Sequence, residues 1–290
     1  MMERYLVRYF LAVVDHGNFS RAAAECNVSQ PTLSVGVAKL EEALKTRLFV
    51  RTNQRVQLTE AGTRFLTHAR RIEREFNLAQ QAMDGSAPRP ILRLGVLSSI
   101  PGSMIAQAVA AAPDEAGAVE ILFGTERDLV GQLARGRLDL CLGLVGRGGE
   151  RFAEEVLADE GYCVVAPSAH RFADRAQVAA EELAGETMIV RRHCEALSDT
   201  SRFFLERGVR PHFALRSTND ERVMQMVCAG LGVTVMPQCY RAQGMAQFRM
   251  SGFDLRRKLG FQFGDGAEHW QVEPHPLLDA LRTAVGQATG

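Results

Sequence analysis

Two short helical patterns separated by a tight turn lie within residues 19–62, and this stretch restricts the possible folds of the chain most strongly. The first helix is predicted over residues 20–26, with Ser20 as its N-cap. Asn27 suits the turn because asparagine tolerates a left-handed backbone. The second helix is predicted over residues 30–44, with Ser29 as its N-cap. The pattern is that of a helix-turn-helix, whose second helix enters the major groove of duplex DNA.

A hairpin wing follows the second predicted helix. Arg51 and Arg55 flank a turn formed by residues 52–54, and residues 56–58 alternate between apolar and polar as a strand does. A new helix opens at Thr59. The first 58 residues are therefore predicted to form a winged helix-turn-helix domain that is mainly α-helical.

The residues predicted to contact DNA lie at the starts of the two helices, on the outward face of the second helix and in the wing. Helix-turn-helix shapes also occur in enzymes and as plain packing motifs, but the two wing arginines favour DNA binding. The predicted DNA-binding residues are Ser20, Arg21, Ser29, Gln30, Pro31, Thr32, Ser34, Lys39, Arg51 and Arg55.

Residues 1–62 resemble the N-terminal domain of the LysR-type transcriptional regulators. The chain departs from many members of that family at Val35-Gly36, where they carry Arg or Gln after the Leu-Ser pair. Either Gly36 allows close approach to the DNA backbone, or base reading depends on Gln30, Thr32 and Ser34. The resemblance is carried by Tyr9-Phe10, Phe19, Ala22-Ala23, Val28-Ser29-Gln30-Pro31, Leu33-Ser34, Lys39-Leu40-Glu41, Leu48-Phe49, Arg51 and Leu58-Thr59-Glu60-Ala61-Gly62.

Composition sets outer limits on the function. A chain of 290 residues predicts two or three domains, and its zero net charge excludes a polybasic DNA coat. No apolar run is long enough to span a membrane, so we expect a cytoplasmic protein without membrane contact. The six cysteines are scattered and form no C-x-x-C pair, which favours reduced thiols over disulfides or a zinc site. We expect neither a metal nor a cofactor.

Residues 59–84 predict one long helix. Its apolar residues step by four and three, which is the heptad pattern of a dimerising helix. The alternative is an amphipathic helix that lies on its own domain. In the resembled family this linker pairs two subunits, so a homodimer or homotetramer on an inverted-repeat site is implied, and residues 85–90 would form a hinge. The predicted dimerisation residues are Phe65, Ala69, Ile72, Phe76, Ala79 and Met83.

Residues 91–290 alternate strand and helix patterns, which predicts parallel sheets covered by helices on both faces. Such sheets bind ligands beyond the carboxyl ends of their strands. A plain helix cap is the ordinary role of any one Ser or Thr there, but several such loops together favour a small-molecule cleft. The predicted effector-binding residues are Ser98, Ser99, Thr125, Arg191, His193, Cys194, Thr218 and Asn219.

The resemblance extends to this region through residues 135–140 and 227–233. It implies an α/β effector domain of two Rossmann-like subdomains, similar in architecture to a periplasmic binding protein. By that likeness subdomain I covers about 91–163 plus 240–290, and subdomain II covers about 164–239. The family's effectors usually lie between the subdomains.

Arg191-Arg192-His193-Cys194 permits two interpretations. The positive charges suit a carboxylate ligand, which makes an anionic effector the main hypothesis. They also favour the reactive thiolate form of Cys194. The peroxide-sensing branch of the resembled family has a reactive cysteine after a His at this place and a second cysteine about nine residues on, where residues 201–205 of this chain contain none.

The whole sequence therefore predicts a sequence-specific DNA-binding transcriptional regulator controlled by a small molecule, with a redox sensor acting through Cys194 as the alternative. Contact with RNA polymerase is a further expectation. No nucleophile, metal-protease or phosphate-loop motif is present, so we do not expect an enzyme. A DNA-bundling protein is a third class, but it would have little need for a cleft of this kind.

Overall fold

The computed structural model describes residues 2–51, 56–83, 91–113, 117–147, 152–267 and 269–289. The chain forms two compact units, one of residues 1–91 with 134–137 and one of residues 92–133 with 138–290. Within the described residues, no helix combines the length and apolarity that crossing a bilayer requires.

The first unit is a helical domain with a two-stranded wing. Its elements are α1 (Arg4–His16), α2 (Phe19–Glu25), α3 (Gln30–Ala43), β1 (Phe49–Arg51), β2 (Val56–Leu58) and α4 (Glu60–Met83).

Local sequence accounts for where α2 and α3 begin. The N-cap of α2 is Asn18 and not Ser20, because the Asn18 side chain accepts hydrogen bonds from the backbone N–H groups of Ser20 and Arg21. Asparagine caps a helix as well as serine does, and here it lies two residues earlier than expected. Ser29 caps α3 as predicted, and Asn27 takes the left-handed conformation with φ of 55°.

Gly36 lies inside the first unit and does not face outward. A Cβ atom at this position would lie 2.5 Å from the ring of Tyr9 on α1. Such an approach is too close for any side chain, so glycine allows α1 and α3 to pack together. The expectation that Gly36 admits the DNA backbone is therefore wrong.

The second unit is an α/β domain. Its elements are β3 (Leu92–Leu97), α5 (Gly102–Ala111), β4 (Val119–Gly124), α6 (Glu126–Ala134), β5 (Leu140–Leu144), β6 (Ala153–Pro167), β7 (Gln177–Val178), a 3₁₀ turn (Ala180–Leu183), β8 (Thr187–Arg191), α7 (Leu197–Glu206), β9 (His212–Ser217), α8 (Asp220–Cys228), β10 (Thr234–Pro237), β11 (Met245–Met250), β12 (Arg256–Phe263), α9 (His269–Val272) and α10 (Pro276–Thr289).

The long strand β6 runs through both halves of this domain. Its first half pairs with β12, which continues to β5, β3 and β4. Its second half lies between β10 and β11, and an isolated bridge from Met188 to Val233 adds the parallel pair β8 and β9 on the outer side of β10. We call the first set of strands, with the helices that connect them, subdomain I, and the second set subdomain II.

Two expectations about this domain require correction. Strands β3, β4 and β5 are parallel, but every pair that β6 forms is antiparallel, because the chain leaves subdomain I along β6 and returns along β12. The return also comes later than residue 240. Strand β11 pairs with the second half of β6, so residues 245–250 belong with subdomain II.

Candidate DNA-binding and effector sites

The start of α3 presents a polar surface. Gln30 and Thr32 are exposed and Ser34 is half-buried, while Leu33 on the same helix is fully buried. The amide nitrogen of Gln30 donates a hydrogen bond to the Ser34 hydroxyl at 3.0 Å. The Ser29 and Thr32 hydroxyls lie 2.7 Å apart. These contacts hold together the side chains that are predicted to read the bases.

The other predicted DNA-binding residues lie around this surface. Ser20 and Arg21 are exposed in the first turn of α2, where the helix N-terminus favours a phosphate. Pro31 and Lys39 are exposed on α3. In the wing, Arg51 ends β1 but its side chain is outside the described structure, and the predicted position of Arg55 falls outside the described residues.

The predicted dimerisation residues on α4, which we call the seam, fall into two groups. Ala69 is fully buried in the core of the first unit, and the Phe65 ring lies 5.0 Å from the ring of Phe10. These two residues are thus packed within their own chain, as the alternative interpretation of the helix expected. Phe76 is 42% exposed with the Arg4 guanidinium over its ring.

The remaining seam residues differ in exposure. Ile72 is half-buried and Ala79 is exposed. Met83 ends the described helix, and its side chain is outside the described structure. Of the predicted dimerisation residues whose side chains the structure describes, Phe76 and Ala79 are the ones exposed to a partner.

In the second unit, a buried arginine joins the two subdomains. Arg257 lies on β12 and is 1% exposed in its side chain. Its guanidinium donates to the Ser99 hydroxyl at 2.9 Å and to Glu160 at 2.9 Å, and it also pairs with Glu195. Ser99 follows β3 in subdomain I, whereas Glu195 precedes α7 in subdomain II. We call Ser99, Glu160, Glu195 and Arg257 the junction cluster.

The junction cluster holds two buried carboxylates against one guanidinium, and further donors make this possible. The backbone N–H of Cys239 donates to Glu160 at 2.8 Å, and the Tyr162 hydroxyl donates to Glu195 at 2.7 Å. Burial opposes ionisation of Glu195, but the charge of Arg257 and the hydrogen bond from Tyr162 prevail and lower its pKa to about 2. Glu195 is therefore ionised at neutral pH.

A second buried ion pair lies close by in subdomain II. The Arg191 guanidinium pairs with Asp220 through two hydrogen bonds and also donates to the Cys194 sulfur at 3.2 Å. The Tyr240 hydroxyl donates to the same Asp220 carboxylate at 3.2 Å. Arg191 is thus neutralised by a residue of its own chain.

A third carboxylate reaches from subdomain II to subdomain I. Glu221, in the first turn of α8, accepts a hydrogen bond of 3.2 Å from the backbone N–H of Gly102. Gly102 is the first residue of α5 in subdomain I, so the Glu221 carboxylate lies at the N-terminus of that helix. A helix N-terminus attracts anions, and the protein supplies one itself.

The predicted effector-binding residues fall into three groups. Ser99, Arg191 and Cys194 take part in the buried contacts. Thr125 and Asn219 cap α6 and α8 by accepting backbone N–H groups. The other three lie at the surface: Ser98, His193 and Thr218.

Arg257, Glu160, Glu195 and Glu221 are not among the predicted effector-binding residues. A signal for Arg257 was present, because it shares the alternating buried face of β12 with Leu259, Phe261 and Phe263. A charged residue on the apolar face of a strand requires a buried partner. That partner cannot be identified from the strand itself.

Cys194 is half-buried, and its thiol accepts a further contact from the Ala196 backbone N–H at 3.4 Å. Burial raises the pKa of the Cys194 thiol, and the nearby Arg191 charge offsets this only in part. Phe203, at the position expected for a partner cysteine, is buried in the core of subdomain II. All six cysteines are free thiols.

Comparison with known families matches both units. The pattern described as "Bacterial regulatory helix-turn-helix protein, lysR family" matches residues 5–63. The "LysR substrate binding domain" pattern matches residues 85–264.

Individual relatives have the same organisation. The chain is 30% identical over 236 residues to the hydrogen peroxide-inducible genes activator of Dickeya chrysanthemi, covering 80% of this chain and 77% of that protein. It is 30% identical over 235 residues to the RuBisCO operon transcriptional regulator of Allochromatium vinosum, covering 79% and 78%.

Solved structures share the fold. A full-length OxyR variant from Pseudomonas aeruginosa matches with a TM-score of 0.66 at 23% identity, covering 97% of this chain and 95% of that one. Full-length CbnR complexed with its target DNA matches with a TM-score of 0.53 at 20% identity, covering 99% and 100%. With both domain patterns in order along one chain, the protein belongs to the LysR family of DNA-binding transcriptional regulators.

Proposed function

We propose that the protein binds promoter DNA as a homodimer or homotetramer through α3 and the wing, and that a small anionic effector at the subdomain junction controls this binding. Two subunits present two recognition helices, so the site is an inverted repeat. The exposed polar surface at the start of α3 supports the first part, with Gln30, Thr32 and Ser34 as base-reading residues and Ser20, Arg21, Lys39, Arg51 and Arg55 near the phosphates. Contact with RNA polymerase and a cytoplasmic location belong to the same proposal.

The effector part is carried by one observation: carboxylates of subdomain II occupy the three anion-binding positions described above in the second unit. Glu195 pairs with Arg257, Asp220 pairs with Arg191, and Glu221 accepts the N–H of Gly102 at the start of α5. An effector carboxylate can make the same contacts. It would therefore exchange with an internal carboxylate and change how subdomain II contacts subdomain I.

Glu221 is the internal carboxylate that an effector displaces most readily. It is exposed and makes one hydrogen bond, whereas Glu195 and Asp220 are part of buried networks. An effector that binds the opened arrangement better than the closed one shifts the population toward the opened arrangement. Its differential affinity sets the size of the regulatory response.

A test starts from the full-length protein and a DNA duplex that it selects from a random library. Binding of that duplex is measured by fluorescence anisotropy with a panel of small carboxylates, aromatic acids and amino acids. Glu221→Gln removes the charge of the internal competitor and keeps a neutral acceptor, so the effective acid should bind about fivefold more tightly, since a hydrogen bond to a charged group is worth about 1 kcal/mol more than one to a neutral group. Glu206→Gln, an exposed acid on α7, is the control and should bind as wild type does. A panel in which no anion changes DNA binding would reject the effector part.

A redox response through Cys194 is the second candidate. It is favoured by the Arg191 hydrogen bond to the sulfur and by the similarity to hydrogen peroxide-inducible activators. The raised pKa and the Phe203 side chain in place of a partner cysteine weigh against it. Hydrogen peroxide in the same assay separates the two, because a response lost in Cys194→Ser and absent with every carboxylate would favour the thiol.

A further inference from the structure

Subdomain II contains a cavity that is separate from the contacts between the subdomains. Its volume is about 500 Å³, within the range of small-molecule binding sites. All of its lining residues lie between Met188 and Val235, on α7, on the turns before and after α7 and on strands β8, β9 and β10. The cavity therefore lies between α7 and the sheet, inside one subdomain.

The walls of the cavity are apolar. Met188, Phe204 and Val209 line its interior and are at least 95% buried in the folded chain. Leu205 and Phe213 also line it, although they are 63% and 45% exposed. Large apolar side chains that line a cavity and still face solvent mark an open end. The apolar walls therefore suit a hydrocarbon body that enters from that end.

The open end carries positive charge. Arg210 and Arg216 line the cavity and are exposed, and among the described residues neither forms an ion pair. The Arg216 guanidinium lies 5.7 Å from the centre of the Phe213 ring. Two uncompensated guanidinium groups at the rim of an apolar cavity suit a ligand that ends in a carboxylate.

The inner end offers no comparable charge. Arg191 and Cys194 line the cavity there, but Arg191 already pairs with Asp220 and donates to Cys194 and to the backbone oxygen of Val235. A ligand carboxylate at that end would face the Asp220 charge. A bound acid would therefore lie with its carboxylate toward the open end and its apolar body toward the inner end.

We propose that this cavity binds a monocarboxylic acid with an extended apolar body, such as a medium-chain fatty acid, with its carboxylate on Arg210 and Arg216. This site is additional to the junction and does not depend on exchange with Glu221. It has a direct route to the junction, because α7 begins two residues after Glu195. An occupant that fixes the start of α7 also fixes the carboxylate that pairs with Arg257.

The first experiment measures binding of decanoate and decanol to the full-length protein by isothermal titration calorimetry, below the micelle concentration of decanoate. Decanoate should bind at least tenfold more tightly than decanol. The double variant Arg210→Gln, Arg216→Gln should bind both equally. Arg202→Gln, an exposed arginine of α7 that does not line the cavity, is the matched control and should keep the preference. Equal binding of the acid and the alcohol by wild type, or no binding of decanoate, would overturn the proposal.

A second pair of variants tests the location. Ser201→Trp places a large ring at an exposed position that lines the cavity, and it should reduce decanoate affinity at least tenfold. Ser198→Trp, also exposed on α7 but not lining the cavity, should leave the affinity unchanged. Unreduced binding in Ser201→Trp would place the ligand elsewhere. Glu221→Gln should leave decanoate binding unchanged, so failure of this site and failure of the junction proposal are distinguishable.

Discussion

The two units use polar side chains in opposite ways. In the first unit the functional candidates are exposed on a helix whose apolar face is fully buried, and their mutual contacts are local, as between Gln30 and Ser34. In the second unit the charged groups of the junction cluster are buried and neutralise one another over long stretches of sequence. Arg257 and Ser99, for example, are 158 positions apart.

The contrast indicates which unit the proposed regulatory response would change. The polar surface at the start of α3 lies on a packed scaffold, so the proposed DNA contact requires no rearrangement of that scaffold. A buried ion cluster shared between two subdomains could separate if a ligand satisfied its charges. On the proposed function, this cluster is the element with two arrangements that a regulatory response requires.

Removing the shared guanidinium should produce the largest effect. Arg257→Ala leaves Glu160 and Glu195 buried without their cation, so the free energy of unfolding of the second unit should fall by about 3–5 kcal/mol. The neighbouring residue supplies the control, because Arg256 pairs with Asp159 at the surface, where both side chains are largely exposed. Arg256→Ala should cost less than about 1 kcal/mol.

Urea unfolding followed by circular dichroism measures both variants. Similar losses in the two would mean that the junction cluster contributes no more than a surface pair, and the contrast between the units would not hold. Arg257→Met keeps a long side chain but removes the cation. Comparing it with Arg257→Ala therefore separates the loss of charge from the loss of side-chain volume.

The sequence was sufficient to predict most of the first unit because its determinants are local. Ser29 as the cap of α3 and Asn27 as the turn residue act within a few residues of their own positions, and they took these predicted roles. Ser20 was misassigned by two residues because Asn18 competes for the same cap. Gly36 was misread because its constraint is Tyr9, which lies on another helix.

In the second unit the alternation of elements was predictable, but strands β9 and β10 were not. Strand β9 is largely exposed along its length, and β10 has only four residues, so neither shows an alternating pattern. The junction cluster depends on strand pairing between distant segments. A single sequence shows that Arg257 needs a partner, whereas only the fold shows that the partners are Glu160 and Glu195.

A second prediction tests whether the first unit depends on close packing as strongly as the second depends on charge. Gly36→Ala forces a Cβ atom toward the Tyr9 ring, so the free energy of unfolding of this unit should fall by about 2 kcal/mol through overpacking. Gly286→Ala in α10 is the control, because nothing lies within 4 Å of the added carbon. There alanine should stabilise the helix by about 1 kcal/mol. Thermal unfolding reports both signs, and equal behaviour of the two variants would exclude a packing role for Gly36.

The smallest expected effect concerns the exposed surface itself. Gln30→Ala should weaken binding to the selected duplex by about 1 kcal/mol, because an amide side chain at the start of a recognition helix can make a bidentate contact with adenine. Binding to random duplex should change little, since phosphate contacts carry it. Lys39→Ala supplies the contrast, with a similar loss on both duplexes and a smaller salt dependence. Because Gln30 is exposed and lies outside the core, its substitution should leave unfolding unchanged. Equal losses on selected and random duplexes would show that Gln30 positions the protein without reading sequence.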